Sequence, residues 1–491
     1  MVRAAGIRRR GRDHTHQVSP APRPVPVRGM RGIDFNQGPA LGPGPAGRDR
    51  EGRMSPVSGS ALHPPASADV PAPEYPDVMS DWDGGLHGST SGPDAFRRPL
   101  NVCVMSPLGY GLYRPESRLP FGGAELQLHL LATSLAQDPA ILVTVLTTVT
   151  TDPGEEPYGP VRLIKRRAGG RVVPLFGAGA RGMLEAIRGY VAAFADMRAL
   201  LRSVDADVYV HAGAGLEVGV YAWICRKMGK RFVYVVASTS DLDRPYGTVT
   251  GPFRWLYPLG IRWADAVVCR TNDQRALLKT RYRRDGVLIR TGHPVPTTLH
   301  ASRFTPHATS AILWIGRLHP VKQPERFLDL TEQMPDQPCV LIGMRDAAHP
   351  EVARAVADRA AGLFNLTVLY DVPSDRIAQH LRTAKVLVNT SVYEGFSNTF
   401  VQAAMAGVPI CSLAVDPDGL LTRQEIGLCA GGSLEMLVAS VRALSVSERP
   451  RQELGRRAFA YAATHHDLRR TTGDFKLLVQ RLAGAGRKVD R

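Results

Sequence analysis

The chain is poor in lysine, poor in aromatic residues and free of long apolar runs. Only 8 of its 61 basic residues are Lys, and aromatics make up 7% of the sequence. No apolar stretch approaches the roughly 20 residues that a membrane-spanning helix needs. The strongest runs, "AILVTVLTT" (140–148) and "RFVYVVAS" (231–238), are strand-sized. The N-terminus has charge but no apolar segment behind it, so it does not read as a secretory signal. Cysteine is scarce as well. Cys103, Cys225, Cys269, Cys339, Cys411 and Cys429 include no pair at metal-ligand spacing. They read as reduced core thiols of a cytoplasmic protein.

The 491 residues, 44% apolar and 22% charged, suffice for two or three domains with a large core. The net charge of +16 is unevenly placed. Residues 1–60 hold 11 Arg and 4 acids, a net of +7, and the long remainder shares the other +9. No basic stripe with interleaved aromatics, zinc finger or RNP pattern occurs, which argues against nucleic acid as a partner. Anionic lipid headgroups or phosphorylated ligands suit the charge at least as well.

Residues 1–98 stand apart. "SPAPRPVPVRG" and "NQGPALGPGPAGRDREGR" are rich in Pro, Gly and Arg and lack apolar periodicity. Such a segment buries too little surface to offset its ordering entropy and is expected to be disordered. Met79 would be a more natural start. From residue 99 strands alternate with helices, which predicts a parallel, doubly wound sheet. The first α/β domain is expected over 99–297, with strands at 101–106, 141–148, 207–211, 231–237, 266–270 and 287–290. A proline-bearing linker follows at 298–310. A second Rossmann-like domain is expected over 311–466, with strands at 311–316, 339–343, 366–370, 385–389 and 409–413. A C-terminal helix and tail occupy 467–491. Two such domains bind ligands where the carboxyl ends of their strands face each other.

Three stretches carry candidate chemistry. "PFGGAE" (120–125) places Gly122 and Gly123 before a helix, where the backbone and its free N–H groups can meet an anion; a plain tight turn is the ordinary alternative. In "WIGRLHPVK" (314–322), Gly316 ends a strand and Arg317 and Lys322 follow. Two cations there suit a diphosphate, unless they are simply solvated. "SVYEGFSNTFVQAAMAGVPI" (391–410) puts Glu394 in a loop after a central strand, placed to receive ligand hydroxyls. Thr399 and Gln402 fit a capping box on the helix that follows, so Gln402 has a structural role available.

Together these motifs resemble the GT-B glycosyltransferases of family GT4, over roughly residues 100–485. The family's donor signature, E-G-F-x-N-x-x-x-E-A-x-A-x-G-x-P-V, reads here "EGFSNTFVQAAMAGVPI". The resemblance implies a GT-B fold and a retaining, metal-independent glycosyltransferase, with a nucleotide-sugar donor as substrate and no required cofactor. It implies that Arg317 and Lys322 hold the donor diphosphate and that Glu394 binds the sugar hydroxyls. The backbone at Phe396, Ser397, Asn398 and Thr399 would approach the sugar and phosphate. Gln402 would take the place of the ribose-binding Glu, and Gly122 and Gly123 would line the cleft. The acceptor would be a glycan or lipid-linked molecule, in cell-envelope or exopolysaccharide synthesis.

Gln402 departs from the family's second Glu; it can still accept from ribose hydroxyls but brings no charge. A subset of the family carries Gln there, followed by a stretch like "VDPDG" (415–419). Many relatives have a His after the strand "FVYVVAS", where this chain has Ala237 and Ser238. Ser238, and His211 ending the strand "DVYVH", are the candidates on the acceptor side, with a core histidine the alternative for His211. Four Asp-x-Asp pairs occur, Asp81/Asp83, Asp205/Asp207, Asp241/Asp243 and Asp416/Asp418, a number that chance supplies. No metal is expected, because Arg317 and Lys322 already provide positive charge. "FRWLYPLGIRWA" (253–264), with Trp255, Tyr257 and Trp263, would sit at the inner face of a membrane or pack against the sheet. Other readings on this fold are a sugar-nucleotide epimerase and a binding protein that has lost catalysis.

Overall fold

The computed structural model describes residues 98–167, 179–243, 249, 253–296 and 311–485. The extension expected over residues 1–98 lies outside the described residues except for Arg98, as does the linker at 298–310.

The first sheet has eight strands: β1 (Leu100–Met105), β2 (Ile141–Val149), β3 (Gly154–Tyr158), β4 (Val161–Arg167), β5 (Val208–Ala212), β6 (Arg231–Val235), β7 (Ala266–Cys269) and β8 (Val287–Leu288). Their order is β3-β4-β2-β1-β5-β6-β7-β8. Every pairing is parallel except the β3–β4 hairpin at one edge. Helices cover both faces, so the central strands are buried on both sides and read as unbroken apolar runs. Cys103, Val104, Val208, Tyr209, Val210, Phe232 and Val233 are all fully buried.

The second sheet has six parallel strands: β9 (Ile312–Arg317), β10 (Cys339–Met344), β11 (Leu366–Tyr370), β12 (Val386–Asn389), β13 (Ile410–Ser412) and β14 (Gly427–Cys429). The order is β11-β10-β9-β12-β13-β14. Strand order therefore reverses between β9 and β12. In open α/β sheets the crevice beyond such a reversal is where ligands bind. The equivalent reversal in the first sheet lies between β1 and β5.

The last helix, Leu468–Gly484, leaves the second domain and packs on the first. Phe475, Leu478, Val479 and Leu482 join the core that holds Val102, Leu128 and Val208. Each such side chain contributes about 1.5–3 kcal/mol by burial. A short bridge between His293 and Asp467 marks where the chain crosses between the domains in both directions.

Candidate active site at the sheet reversal

Arg317 closes β9, and Lys322 ends a short 3-10 turn, Pro320–Lys322, that follows it. Glu394 lies in the loop after β12. The two strands are neighbours, so residues 72 positions apart in sequence meet: Lys322 Nζ donates to Glu394 Oε1 at 2.5 Å. The same oxygen accepts from Ser391 Oγ at 2.7 Å and Asn389 Nδ2 at 3.4 Å. Glu394 Oε2 has no hydrogen-bond partner among the described residues. The backbone of Lys322 is fixed from beneath. Trp314 Nε1 donates to Thr390 Oγ1 at 2.9 Å, and Thr390 Oγ1 donates to the Lys322 carbonyl at 2.7 Å. Gly316 sits against the indole of Trp314, where a Cβ would be 2.8 Å from the ring.

Arg317 is held loosely. Its Nη2 donates to the Phe121 carbonyl at 3.4 Å, and Asp346 lies 3.9 Å away. The site thus presents one lightly engaged guanidinium, one ammonium with further donor capacity and one half-committed carboxylate. The pairing of Lys322 with Glu394, and the roles of Asn389 and Ser391, were missed in the sequence. Asn389 and Ser391 sit at the strand end that carries Glu394, which is the signal that could have found them.

The helix after Glu394 runs Asn398–Met405, with Ser397 as its cap residue and no side-chain capping bond. This corrects the expected capping box. Thr399 lies inside the helix, where its hydroxyl pairs with Ser397 Oγ at 2.8 Å. The half-buried Gln402 carboxamide has no hydrogen-bond partner among the described residues. Phe396 and Ser397 are buried, and the Phe396 ring packs on His466 with centroids 4.4 Å apart.

The first domain reaches the same place. Gly122 precedes the helix Gly123–Leu135, and its N–H donates to Glu125 Oε2 at 3.0 Å. Asn398 Nδ2 donates to the Gly123 carbonyl at 2.9 Å. Across the cleft, Thr239 N–H donates to the Glu394 carbonyl at 3.4 Å. A Cβ on Gly395 would lie 2.3 Å from the Ala237 carbonyl oxygen, so the loop bearing Glu394 rests directly on the segment that includes Ser238. Ser238 Oγ accepts from Ser240 Oγ at 2.9 Å, and its N–H donates to Asp241 Oδ2 at 3.0 Å. Burial pushes the Asp241 carboxyl up to about 6.

His211 is not brought to this cluster by any contact. It is buried at the end of β5, its Nδ1 3.0 Å from the Met105 carbonyl and its ring edge-on to Tyr221. Glu217 lies 3.7 Å from its Nε2.

The Asp-x-Asp pairs within the described residues have other partners. Asp207 accepts from Asn101 N–H and pairs with Arg98, and Asp205 pairs with Lys230. Asp243 pairs with Arg281. Asp416 caps the turn at Leu421 and Thr422, with 2.7 Å to Leu421 N–H. Asp418 caps the helix Asn272–Tyr282 of the first domain, accepting from Asn272 and Asp273 N–H at 3.0 Å each. Asp81 and Asp83 lie outside the described residues.

The aromatic set at 253–264 is only partly turned outward. Trp255 is 50% exposed, but Tyr257 is fully buried, donating to the Asp241 carbonyl and lying 2.8 Å from Tyr234 Oη. Trp263 packs against the core. This corrects the interfacial reading for Tyr257 and Trp263, whose rings complete the first domain's interior. No helix among the described residues is long and apolar enough to cross a membrane.

Residues 309–445, which hold β9 to β14, match the family model described as glycosyl transferases group 1. A D-inositol 3-phosphate glycosyltransferase of Geodermatophilus obscurus is 28% identical over 189 residues, 34% of this chain and 41% of that protein. The chain matches about two-fifths of the length of such curated relatives. Among solved structures, a sucrose-phosphate synthase of Thermosynechococcus elongatus aligns over 78% of this chain and 99% of its own, with a TM-score of 0.61 and 18% identity. The Anabaena protein HepE, solved with UDP and glucose, aligns over 78% of this chain and 99% of its own, with a TM-score of 0.55 and 16% identity. The architecture is the GT-B fold: two parallel-sheet domains meeting across a cleft.

Proposed function

We propose that the protein is a retaining, metal-independent glycosyltransferase of the GT4 type, using a nucleotide-sugar donor. The observation that carries this reading is that Lys322 and Glu394 are bonded at the β9–β12 reversal while Arg317, ending β9, lies against Phe121 and Gly122 of the first domain. Arg317 and Lys322 would take the donor diphosphate. Lys322 has donors to spare beyond its bond to Glu394, and Arg317 can turn its guanidinium from the Phe121 carbonyl to a phosphate. Glu394 would accept from sugar hydroxyls with Oε2. Gln402, freed from capping, would face the ribose.

In this mechanism the bond between the sugar's anomeric carbon and the phosphate oxygen breaks, and the acceptor oxygen bonds to the same face. The acceptor proton passes to the departing diphosphate. The two cations stabilise the charge that develops there. No side-chain nucleophile is required.

A glycan or lipid-linked acceptor in envelope or exopolysaccharide synthesis fits the reading. The inositol 3-phosphate in the curated relatives' names puts a phosphorylated polyol in the acceptor screen. A peripheral membrane contact would rest on Trp255 with Ile187 and Val191, all exposed. Sedimentation with anionic vesicles, lost in Trp255→Ala, is the expected result.

The function is tested by thermal stabilisation and slow hydrolysis with UDP-, GDP- and ADP-sugars in the presence of EDTA. One donor class should stabilise the wild type and leave Arg317→Ala unshifted. The reading fails if no nucleotide sugar acts, or if Arg317→Ala keeps the shift. Binding without turnover would favour a sugar-nucleotide-binding protein.

A further inference from the structure

The glycine pair is met by side chains of the other domain. A Cβ on Gly122 would lie 2.8 Å from Arg317 Nη2, and one on Gly123 would lie 2.7 Å from Asn398 Nδ2. Both distances are too short for a real Cβ. The second contact is a bond, because Asn398 Nδ2 donates to the Gly123 carbonyl. The other end of the amide is also engaged. Asn398 Oδ1 accepts from Gln127 Nε2 at 2.8 Å and faces His293 Nε2 at 3.2 Å. Gln127 in turn grips Gly292 in both directions, donating to its carbonyl and accepting from its N–H, each at 3.1 Å. Gln127 and His293 are 9% and 6% exposed, so the inner end of this network is shielded from water, while the bond from Asn398 to Gly123 is exposed.

One carboxamide on the first turn of the helix Asn398–Met405 therefore joins three things. It holds Gly123, the helix that starts there, through Gln127, and the segment 292–293 through which the chain passes between the domains. An amide is required, since one end must donate and the other accept. Aspartate would set an oxygen against the Gly123 carbonyl.

We propose that Asn398 is a positioning residue: its amide docks the second domain on Gly123 and so delivers Arg317 to its place beside Phe121 and Gly122, without the side chain touching the donor. The docking stands on geometry alone; what Arg317 does once delivered rests on the glycosyl-transfer reading. The second glycine is then needed for the approach of Asn398 rather than for a phosphate.

The test uses the full chain with Asn398→Ala, Asn398→Asp, Gln127→Ala and the Asn398→Ala/Gln127→Ala double variant. Amide hydrogen exchange is read without ligand. Residues 119–128 and 290–295 should exchange about tenfold faster in both Asn398 variants, because their protection depends on the docked state. Affinity for the nucleoside diphosphate of the active donor (UDP, GDP or ADP), by calorimetry, should stay within about threefold of wild type, while kcat with that donor falls at least about tenfold. The double variant should be no worse than Asn398→Ala, since both changes cut one network. Faster exchange confined to 396–405 would reduce Asn398 to a local structural residue and overturn the proposal. So would a loss of nucleoside diphosphate affinity in step with kcat while Gln127→Ala behaves as wild type. If Asn398→Ala does not fold, Gly123→Ala and Gln127→Ala carry the same exchange test. If no nucleotide sugar is bound or turned over, the functional reading fails and the exchange data alone decide the docking.

Discussion

Glu394→Gln separates the sugar-binding role from the diphosphate role. The carboxylate is 11% exposed and its Oε1 takes Lys322, Ser391 and Asn389. Hydrogen bonds to a charged group contribute about 1.5–3 kcal/mol each, and neutral ones about 0.5–1.5. Gln keeps the shape and an acceptor oxygen, so the expected stability loss is roughly 1–3 kcal/mol. For a domain of this size that lowers Tm by about 2–4 °C per kcal/mol. The ligand effects should diverge. The active donor's nucleoside diphosphate alone should bind as tightly as before or tighter, because Lys322 is released toward the phosphates. The nucleotide sugar should lose roughly 10–100-fold in kcat/KM, the equivalent of one or two charge-assisted bonds to hydroxyls. Calorimetry with that nucleoside diphosphate and turnover of the nucleotide sugar, side by side, read the difference. Equal weakening of both ligands, or unchanged turnover, would refute the assignment of Glu394 to the sugar.

Gln402→Glu should tighten donor binding and leave Tm unchanged, since no capping bond is lost; a Tm change with unaltered binding would return Gln402 to a structural role. Asp418→Ala should cost about 0.5–2 kcal/mol as a lost cap, read by urea denaturation, and Asp418→Asn should recover only part of it, because both carboxylate oxygens accept a backbone N–H and Oδ2 also meets Arg290, whereas an amide has one acceptor oxygen. Acid should destabilise the fold. Burial lowers His293 to about 4 and His466 to about 3, so the unfolded chain binds protons below pH 6.5 that the folded chain refuses. Stability present above pH 6.5 is then lost as pH falls toward 4, by roughly 3 kcal/mol for His293 alone. Asp241, raised to about 6, acts in the opposite sense between pH 6 and 3.8 but is a single group. A lower urea midpoint at pH 5 than at pH 7 is expected; an equal or higher one would contradict the burial of these rings.

The strands of both sheets were legible because central parallel strands are apolar on both faces. The β3–β4 hairpin was not. Its first strand, "GEEPY", is largely exposed and has a proline, and its second, "VRLIKRR", sets its few apolar residues among Arg and Lys, so no apolar run marks it. The three residues of β14 are too few to show a period. At the site, Arg317, Lys322 and Glu394 could be picked out because each follows a strand end. Their pairing could not, since it depends on β9 and β12 being neighbours. The Gln127–Gly292 grip spans 165 residues, and nothing local to either glutamine or glycine announces it. For Tyr257 the neighbours left an interfacial and a packed place open, and the partners that fix the packed one are Tyr234, on β6, and the Asp241 carbonyl.

The most direct measurement is a crystal structure of the protein with the nucleoside diphosphate of its active donor bound. The diphosphate oxygens should lie within about 3 Å of the Arg317 guanidinium and Lys322 Nζ, with the ribose toward Gln402. A nucleotide bound elsewhere, or one in the cleft that leaves both cations unengaged, would contradict the placement of donor chemistry at the β9–β12 reversal.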